Sequence, residues 1–274
     1  NIQEADVIWL LPSWQWTKLP MDLLQRKKIV ATVHHIVPDK FNVEEFLIRD
    51  QFVDCYHVPC IQTKENIREY TQKPIKVAGY WLNSDVWQPL NKQACRKELN
   101  IDEEDYIVGS FQRDTEGSDL KSPKLEKGPD LFVEYVKKIK NPKLHVLLGG
   151  WRRQYIINRL EQENIKYTYI ELAPRNVLKK MYASCDLYVV SSRFEGGPQS
   201  LLEAPAMNVP IVSTNVGMAS SVLSKDCLID IKDDLYFPTQ RDINECSHGA
   251  HKFEIKSHIK KYIKIFSETI GESQ

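Results

Sequence analysis

The fold is decided by the stretch Ser191-Ser192-Arg193-Phe194-Glu195-Gly196-Gly197-Pro198-Gln199-Ser200-Leu201-Leu202-Glu203-Ala204. It follows Leu187-Tyr188-Val189-Val190, a short, apolar and partly β-branched run of the kind that forms a buried strand. A Gly-Gly-Pro turn and a series of helix formers come next, so the stretch predicts strand, loop and helix. This is half of a βαβ unit, and it indicates an α/β fold with a parallel sheet.

Two glutamates of this stretch suggest the kind of ligand. In open α/β sheets, ligands bind beyond the carboxyl ends of the strands, where helix N-termini direct N–H groups at anions. Glu195 falls on the predicted loop and Glu203 on the helix behind it. Carboxylates repel phosphate but accept charge-assisted hydrogen bonds from hydroxyl groups. The expected ligand therefore carries both hydroxyls and anionic groups.

The composition limits the classes of partner. Lys and Arg number 37, as do Asp and Glu, so no net charge recommends nucleic acid or an anionic membrane. No apolar run approaches the ~20 residues of a membrane span. The start has neither an initiator Met nor a signal-peptide core, so we expect it to lie within a longer or processed reading frame.

The cysteines and histidines indicate reduced thiols and no metal. The six cysteines are scattered without paired metal-ligand spacing, which suits a cytoplasmic protein, with peripheral attachment to a membrane left open. Cys246, His248 and His251 form the only Cys/His cluster in the sequence, and their spacing matches no standard zinc pattern. We interpret that cluster as part of a loop.

Other short apolar runs predict further strands, and periodic segments predict helices. A helix capped by Thr63 is predicted after the run at Tyr56, another from about Pro129, and an amphipathic one over His258–Ile270. Pro205 removes a backbone hydrogen bond, so the helix after the glutamate stretch should be kinked or short. The predicted strands lie in these runs: Val7–Leu11, Ile29–Val33, Tyr56–Val58, Lys76–Ala78, Tyr106–Gly109, Leu144–Leu148, Tyr167–Ile170 and Pro210–Thr214.

The run from Glu195 to Ala204, followed by Val209-Pro210-Ile211-Val212-Ser213-Thr214-Asn215-Val216-Gly217, resembles the signature of the retaining glycosyltransferases of family 4. The resemblance implies a GT-B fold, in which two Rossmann-like domains have parallel sheets facing a central cleft. It predicts a short or truncated N-terminal domain over 1–90 and a donor-binding domain over 91–254. Residues 255–274 would form a C-terminal helix that can return to the first domain.

The same resemblance assigns roles to the glutamate stretch and to a histidine. Glu195 would contact hydroxyls of the donor sugar and Glu203 those of the ribose. Gly196, Gly197, Gln199 and Ser200 would complete the donor site, the last two through backbone N–H groups. His34, or its neighbour His35, ends a predicted strand where the family places a histidine near the donor sugar. A structural histidine is the alternative, and the sequence leaves both open.

Positive charge for the donor diphosphate is expected from the second domain. Arg113 and Lys127 match the family's Arg and Lys, although Gln112 stands where Gly is usual. The segment between them is longer than expected, so Lys124 is a second candidate. For the charged loop as a whole, simple solvation is the alternative. The strand and loop around Leu172 correspond to the segment whose backbone holds the nucleobase.

The resemblance implies transfer of a sugar from a nucleotide diphosphate sugar to a carbohydrate, lipid or protein-linked acceptor hydroxyl, with retention of anomeric configuration. We expect no cofactor and no metal, because no Asp-x-Asp follows a strand of the expected cleft. A glycoside hydrolase is disfavoured, since both glutamates would face one side of the ligand. A nucleotide-sugar-binding pseudo-enzyme or subunit and a GT-B sugar-nucleotide epimerase remain alternatives.

Overall fold

The computed structural model describes residues 2–117 and 119–271 and contains two parallel β-sheets. The first sheet has the strand order β1-β2-β3-β4, and the second has the order β7-β6-β5-β8-β9. Every pairing within the two sheets is parallel. The strands are β1 (Val7–Leu10), β2 (Lys28–Thr32), β3 (Cys55–Val58), β4 (Ile75–Val77), β5 (Tyr106–Ser110), β6 (Leu144–Gly150), β7 (Lys166–Glu171), β8 (Leu187–Val190) and β9 (Ile211–Ser213).

Helices connect successive strands, as parallel pairing requires. They are α1 (Met21–Arg26), α2 (Val43–Asp50), α3 (Ile61–Arg68), α4 (Lys92–Glu98), α5 (Pro129–Lys138), α6 (Gln154–Gln162), α7 (Arg175–Ser184), α8 (Ser200–Ala206), α9 (Ala219–Val222), α10 (Gln240–His251) and α11 (Ile255–Ile270). Short 3₁₀ turns lie at Ser13–Lys18, Pro38–Lys40, Leu125–Lys127 and Lys225–Cys227. The predicted α/β class with parallel sheets is confirmed.

The chain divides into two compact units, each built on one sheet. The first unit comprises Asn1–Trp81, Phe194–Gly197 and Ile255–Gln274, and the second comprises Leu82–Arg193 and Pro198–Glu254. In the first unit, Tyr262 and Ile265 of α11 are buried against Val30 and Cys55 of the sheet. In the second, strands β5, β6, β8 and β9 contribute the apolar side chains of one continuous core.

Several local predictions are tested by these elements. The strands all form, and α5 begins at Pro129 as expected. Helix α8 contains Pro205 and spans only seven residues, which confirms the prediction of a short helix. The helix capped by Thr63 is misplaced: α3 begins at Ile61 after Cys60, and the Thr63 hydroxyl instead donates to the His34 carbonyl at 3.2 Å.

The loop interpretation of Cys246, His248 and His251 is wrong, because all three residues lie in α10. A reciprocal capping box between Thr239 and Asp242 starts this helix, and the sequence interpretation overlooked it. Within the described residues, no three His, Cys, Asp or Glu side chains are grouped so that they could hold a metal ion. In the same part of the chain, no helix combines the length and apolar character needed to cross a membrane.

Candidate functional site

The strand order of the second sheet fixes where a ligand can enter. The chain runs from β5 outward through β6 to β7, and then returns to the other side of β5 with β8 and β9. The loops that follow β5 and β8 therefore leave in opposite directions and open a crevice at the carboxyl ends of these strands. Arg113 and Lys127 lie in the first loop, and Ser191 to Arg193 begin the second.

A network of hydrogen bonds joins these two loops. The Gln112 amide nitrogen donates to the Lys127 carbonyl at 2.9 Å, and its amide oxygen accepts from the Ser192 hydroxyl at 3.3 Å. The Ser191 hydroxyl also donates to the Lys127 carbonyl, at 3.2 Å. These contacts hold the 3₁₀ turn that carries Lys127 at the crevice. Gln112, which departs from the family pattern, is thus a polar link between the loops.

Gly128 lets the turn that carries Lys127 lie very close to the loop after β8. Its φ is +60°, and a Cβ atom there would lie 1.9 Å from the carbonyl oxygen of Ser191. Any larger residue would therefore need both a left-handed backbone and a displaced β8 loop. The Lys127-Gly128 pair matches the family pattern because only glycine lets this turn pack directly on the second loop.

Lys124, the second candidate for the phosphate site, already has a charged partner. Its ammonium lies 3.0 Å from the buried carboxylate of Glu126. The same turn is fixed to the β8 loop by Arg193, whose guanidinium forms two hydrogen bonds of 2.8 and 2.6 Å with Asp130. The structure therefore favours a supporting position for Lys124. Arg193 was missed because its sequence position gives no sign of Asp130 as its partner.

Arg113 lies beyond the end of β5, and its guanidinium lies over an aromatic ring. Its Nε donates to the Thr115 carbonyl at 2.8 Å, and its guanidinium carbon is 5.1 Å from the ring centroid of Trp151. Trp151 follows β6, so the ends of two neighbouring strands meet here. The guanidinium is held in place while only one of its five N–H groups is used by that carbonyl.

Glu203 on α8 is partly buried in the second unit. The hydroxyl of Tyr182 donates to its Oε2 at 3.0 Å, and Tyr182 is itself packed among the rings of Trp87, Phe111 and Tyr188. Burial raises the pKa of Glu203 to about 7, against the lowering effects of that hydrogen bond and of the positive charge of Arg175. Near neutral pH the carboxyl group is balanced between its two protonation states.

The remaining predicted donor residues of the second unit lie on loops or at the start of α8. Gln199 is exposed and precedes the helix, while Ser200 is its first residue. Leu172 follows β7 with φ +46°, and its side chain is 69% exposed. Its backbone N–H donates to the Gly150 carbonyl at 3.4 Å. The contact roles proposed for these residues stay predictions.

In the first unit, His34 is held by neighbouring groups. Its Nδ1 makes a short hydrogen bond with the hydroxyl of Tyr80, a residue not predicted from the sequence. Burial lowers the pKa of His34, although a hydrogen bond to the Leu11 backbone and the charge of Glu195 act in the opposite direction. His34 is therefore neutral at pH 7.

The segment Phe194–Gly197 is packed within this first unit. A Cβ atom on Gly196 would lie 2.0 Å from the His34 carbonyl and 2.7 Å from Cγ of Pro59, so only glycine fits. Gly196 and Gly197 are both buried. The structure thus brings Glu195 and His34 into one neighbourhood. It assigns Glu203, Arg113 and Lys127 to the second unit.

Comparison with known proteins agrees with this architecture. The described second unit is Rossmann-like, with charged loops at the switch point of its sheet. The family model described as "Glycosyl transferases group 1" matches residues 91–230, about half of the chain, and the protein belongs to this family.

Among curated proteins, the chain is 25% identical over 174 residues to the lipopolysaccharide core biosynthesis mannosyltransferase LpsB of Rhizobium meliloti. It is 28% identical over 103 residues to glycogen synthase 2 of Geobacter metallireducens. The first match covers 60% of this chain and 47% of the relative, and the second covers 36% and 21%. The matched region thus spans less than half the length of either relative.

Solved structures match nearly the whole chain. Sucrose-phosphate synthase from Thermosynechococcus elongatus superposes with a TM-score of 0.75 at 15% identity, covering 98% of this chain and 74% of that one. Anabaena HepE in complex with UDP and glucose gives 0.76 at 14% identity, covering 97% and 80%. At such identity these matches speak for the fold alone, and they confirm the expected GT-B class.

Proposed function

We propose that this chain transfers a sugar from a nucleotide diphosphate sugar to an acceptor hydroxyl, with retention of configuration and without a metal ion. The observation that carries the proposal is the crevice of the second unit. There Arg113 and Lys127 supply positive charge on the loop after β5, and Gln112 ties the Lys127 turn to the loop after β8. Family membership supplies the reaction class.

The leaving diphosphate would be stabilised by protein charge. Breaking the glycosidic bond of the donor leaves negative charge on the phosphate oxygens, and preorganised cations lower the energy of that transition state. Arg113 can offer a planar pair of donors and Lys127 a point charge. Gln112 and Gly128 would act on Lys127 by fixing its turn. The backbone N–H groups at Gln199 and Ser200 would add a smaller contribution.

The two glutamates would bind hydroxyls and would not act as nucleophiles. Glu195 would accept hydrogen bonds from the donor sugar, and Glu203 from the ribose. Only the ionised form of Glu203 is a double acceptor, and its pKa is about 7. Donor binding should therefore strengthen as the pH rises from 6 to 8, because the cost of ionising Glu203 disappears.

UDP-glucose is the first donor to test, since HepE was crystallised with it. Thermal shifts with UDP-, GDP- and ADP-sugars would identify the bound nucleotide, because a ligand stabilises the folded state in proportion to its affinity and concentration. Donor consumption and products would then be followed with and without a panel of sugar and lipid acceptors. The LpsB relative places saccharide acceptors in that panel.

The decisive variant is Glu195→Gln, with Glu44→Gln as the matched control in the same unit. Glu44 is exposed in the first turn of α2. We expect Glu195→Gln to lower turnover on the order of 100-fold at an unchanged melting temperature, as for loss of one preorganised contact. Donor binding without turnover would point to a pseudo-enzyme, and an altered sugar nucleotide without acceptor would point to an epimerase. No stabilisation by any nucleotide sugar would contradict the proposal.

A further inference from the structure

Two arginines of the second unit contact the same exposed tryptophan. The guanidinium carbon of Arg113 is 5.1 Å from the ring centroid of Trp151, and that of Arg152 is 4.2 Å from it. The Trp151 side chain is 43% exposed. Arg113 follows β5 and Arg152 follows β6, so the pair lies at the carboxyl ends of adjacent parallel strands. Arg113 is predicted from the sequence as a site residue, and Arg152 is not.

Neither guanidinium has a carboxylate partner within the described residues. Arg113 donates to the Thr115 carbonyl, and Arg152 donates to the Gly117 carbonyl. Both partners are neutral, so two positive charges remain uncompensated beside one ring. Asp114, which follows Arg113 in the chain, cannot neutralise them because its carboxylate is engaged by buried Arg153 at 2.8 Å.

Three other arginines of this unit have carboxylate partners. Arg96, Arg153 and Arg193 each have a carboxylate oxygen within 2.8 Å. Two like charges held close without a counter-ion are unfavourable unless a ligand supplies the negative charge. The position of two unpaired guanidinium groups on one exposed ring, that of Trp151, therefore indicates an anion-binding position.

The backbone at Arg152 is left-handed and is fixed by hydrogen bonds. The residue has φ +57°, a left-handed conformation in which glycine would be unstrained. The Thr115 hydroxyl and the Asp114 N–H both donate to the Arg152 carbonyl, at 2.9 and 3.2 Å. These bonds fix the turn from β6 against the loop from β5, while the Gly117 carbonyl and the Trp151 ring hold the guanidinium.

This turn is in direct contact with the switch point. A Cβ atom on Gly150 would lie 3.3 Å from the carbonyl carbon of Gln112, so the β6 turn packs on the residue that links Lys127 to Ser192. The two arginines are thus part of the same loop assembly as Lys127.

We infer that Arg152 is a further substrate-binding residue, which clamps the donor diphosphate together with Arg113 while both stack on Trp151. The inference rests on the proposed function, because the diphosphate is that of a nucleotide-sugar donor. Guanidinium groups bind phosphate oxygens through parallel N–H groups, and stacking on an indole ring keeps their planes aligned. Arg152 binds the charge of the ligand and makes no contact with the nucleoside.

The test is calorimetric titration of the full chain with UDP, GDP and ADP, followed by the nucleoside of whichever binds best. Arg152→Gly is the informative variant, since glycine suits the left-handed backbone and should fold. We expect it to weaken diphosphate binding roughly tenfold or more, as for the loss of charge-assisted hydrogen bonds, and to change nucleoside binding less than about twofold. Arg152→Lys, which keeps the charge but not the fork, should give an intermediate loss.

Two matched controls separate backbone and charge effects. Asn164→Gly introduces glycine at another left-handed position, φ +53°, after α6, and Arg159→Ala removes a half-buried arginine of α6 whose carboxylate partner is Glu134 at 3.5 Å. Both should bind the diphosphate like the wild type. Wild-type affinity in Arg152→Gly, or an equal loss for nucleoside and diphosphate, would overturn this inference alone. A wild-type chain that binds none of the three diphosphates would overturn the proposed function as well.

Discussion

Charged side chains have different partners at the two ends of the second sheet. At the amino ends of the strands, the Asp105 carboxylate meets Nδ1 of His145 at 2.7 Å and the Lys166 ammonium at 2.5 Å. Asp186 beside them is paired with Arg96 at 2.6 Å. At the carboxyl ends, Arg113 and Arg152 face only carbonyls and an indole ring within the described residues. The charges at the first end are paired within the fold, whereas we propose that the charges of Arg113 and Arg152 at the second end bind a ligand.

This difference has a physical reason. Both edges of a parallel sheet must satisfy polar side chains, but only the carboxyl edge opens onto the crevice between diverging loops. An ion pair there would have to be broken before an anion could bind, which would reduce the affinity. Pairing every charge at the closed edge costs no function. Substitutions at the two edges test this division.

The pair of Arg153 and Asp114 is the most deeply buried of the ion pairs at the carboxyl edge, where Lys124 with Glu126 and Arg193 with Asp130 are also paired. Arg153 is fully buried and also donates to the Ser110 and Gly149 carbonyls. Arg153→Met would leave the Asp114 carboxylate buried without its cation, and we expect the free energy of unfolding to fall by about 3–5 kcal/mol. Urea denaturation measures this loss.

The double variant Arg153→Met with Asp114→Asn is the control, because it removes the stranded charge. It should recover part of the lost stability. If the free energy of unfolding of the single variant fell by less than about 1 kcal/mol, this pair would contribute no more than an exposed ion pair, despite its burial.

Glu203 should make the protein less stable as the pH rises. Its pKa is near 4.5 in an unfolded chain and about 7 in the folded one, so between these values the folded state binds more protons. Stability is therefore highest below pH 4.5 for this group and declines until about pH 7. The total is on the order of 3 kcal/mol, since one pKa unit corresponds to about 1.36 kcal/mol.

Glu203→Gln should remove this dependence and stabilise the protein at pH 8 while weakening donor binding. Chemical denaturation at several pH values measures the first effect. Glu171→Gln replaces an exposed glutamate that ends β7; it is the control and should keep the wild-type profile. Parallel pH profiles for wild type and Glu203→Gln would contradict the assignment.

The sequence predicted the elements better than the contacts. Short apolar runs marked the strands because each is buried on both faces of a parallel sheet. The glycines at 128 and 196 followed from a family pattern, and the structure supplies their reason in carbonyl oxygens about 2 Å from the missing Cβ atoms. Both carbonyls belong to residues at least 60 positions away in the chain, which no local pattern reveals.

The missed residues share that property. Gln112 looked like a defect in the pattern, yet its amide joins residues 127 and 192. Tyr80 reaches His34 across 46 positions, and Tyr182 reaches Glu203 across 21. The capping box at Thr239 was different, since its Thr-x-x-Asp spacing is local and could have been recognised. Predicting long-range partners requires the order of the strands in the sheet, whereas a helix cap can be predicted from the sequence alone.

At the amino edge, Asp105→Asn should affect stability and leave ligand binding unchanged. Burial alone would raise the pKa of Asp105, but hydrogen bonds from Lys166 and His145 hold it below its usual value. Its contribution is therefore present above about pH 4 and is lost as the pH falls through the lowered pKa. We expect a loss of about 1–2 kcal/mol at pH 7 and unchanged nucleotide affinity by calorimetry. Weakened nucleotide binding would break the division between the two edges.

Lys166→Met should change the stability least, and it tests how much an exposed ion pair contributes at the amino edge. The Lys166 ammonium contacts the Asp105 carboxylate, but its side chain is 54% exposed, so water and salt screen the pair. Asp105 also keeps its bond to His145, which burial holds neutral by lowering its pKa. We expect a loss of only about 0.2–1 kcal/mol in low salt, shrinking further at 1 M NaCl. Denaturation at both salt concentrations measures it. A larger loss that persisted at 1 M NaCl would mean that the Lys166–Asp105 pair stabilises the protein as strongly as a buried ion pair does. Solvent exposure of Lys166 would then not weaken the pair.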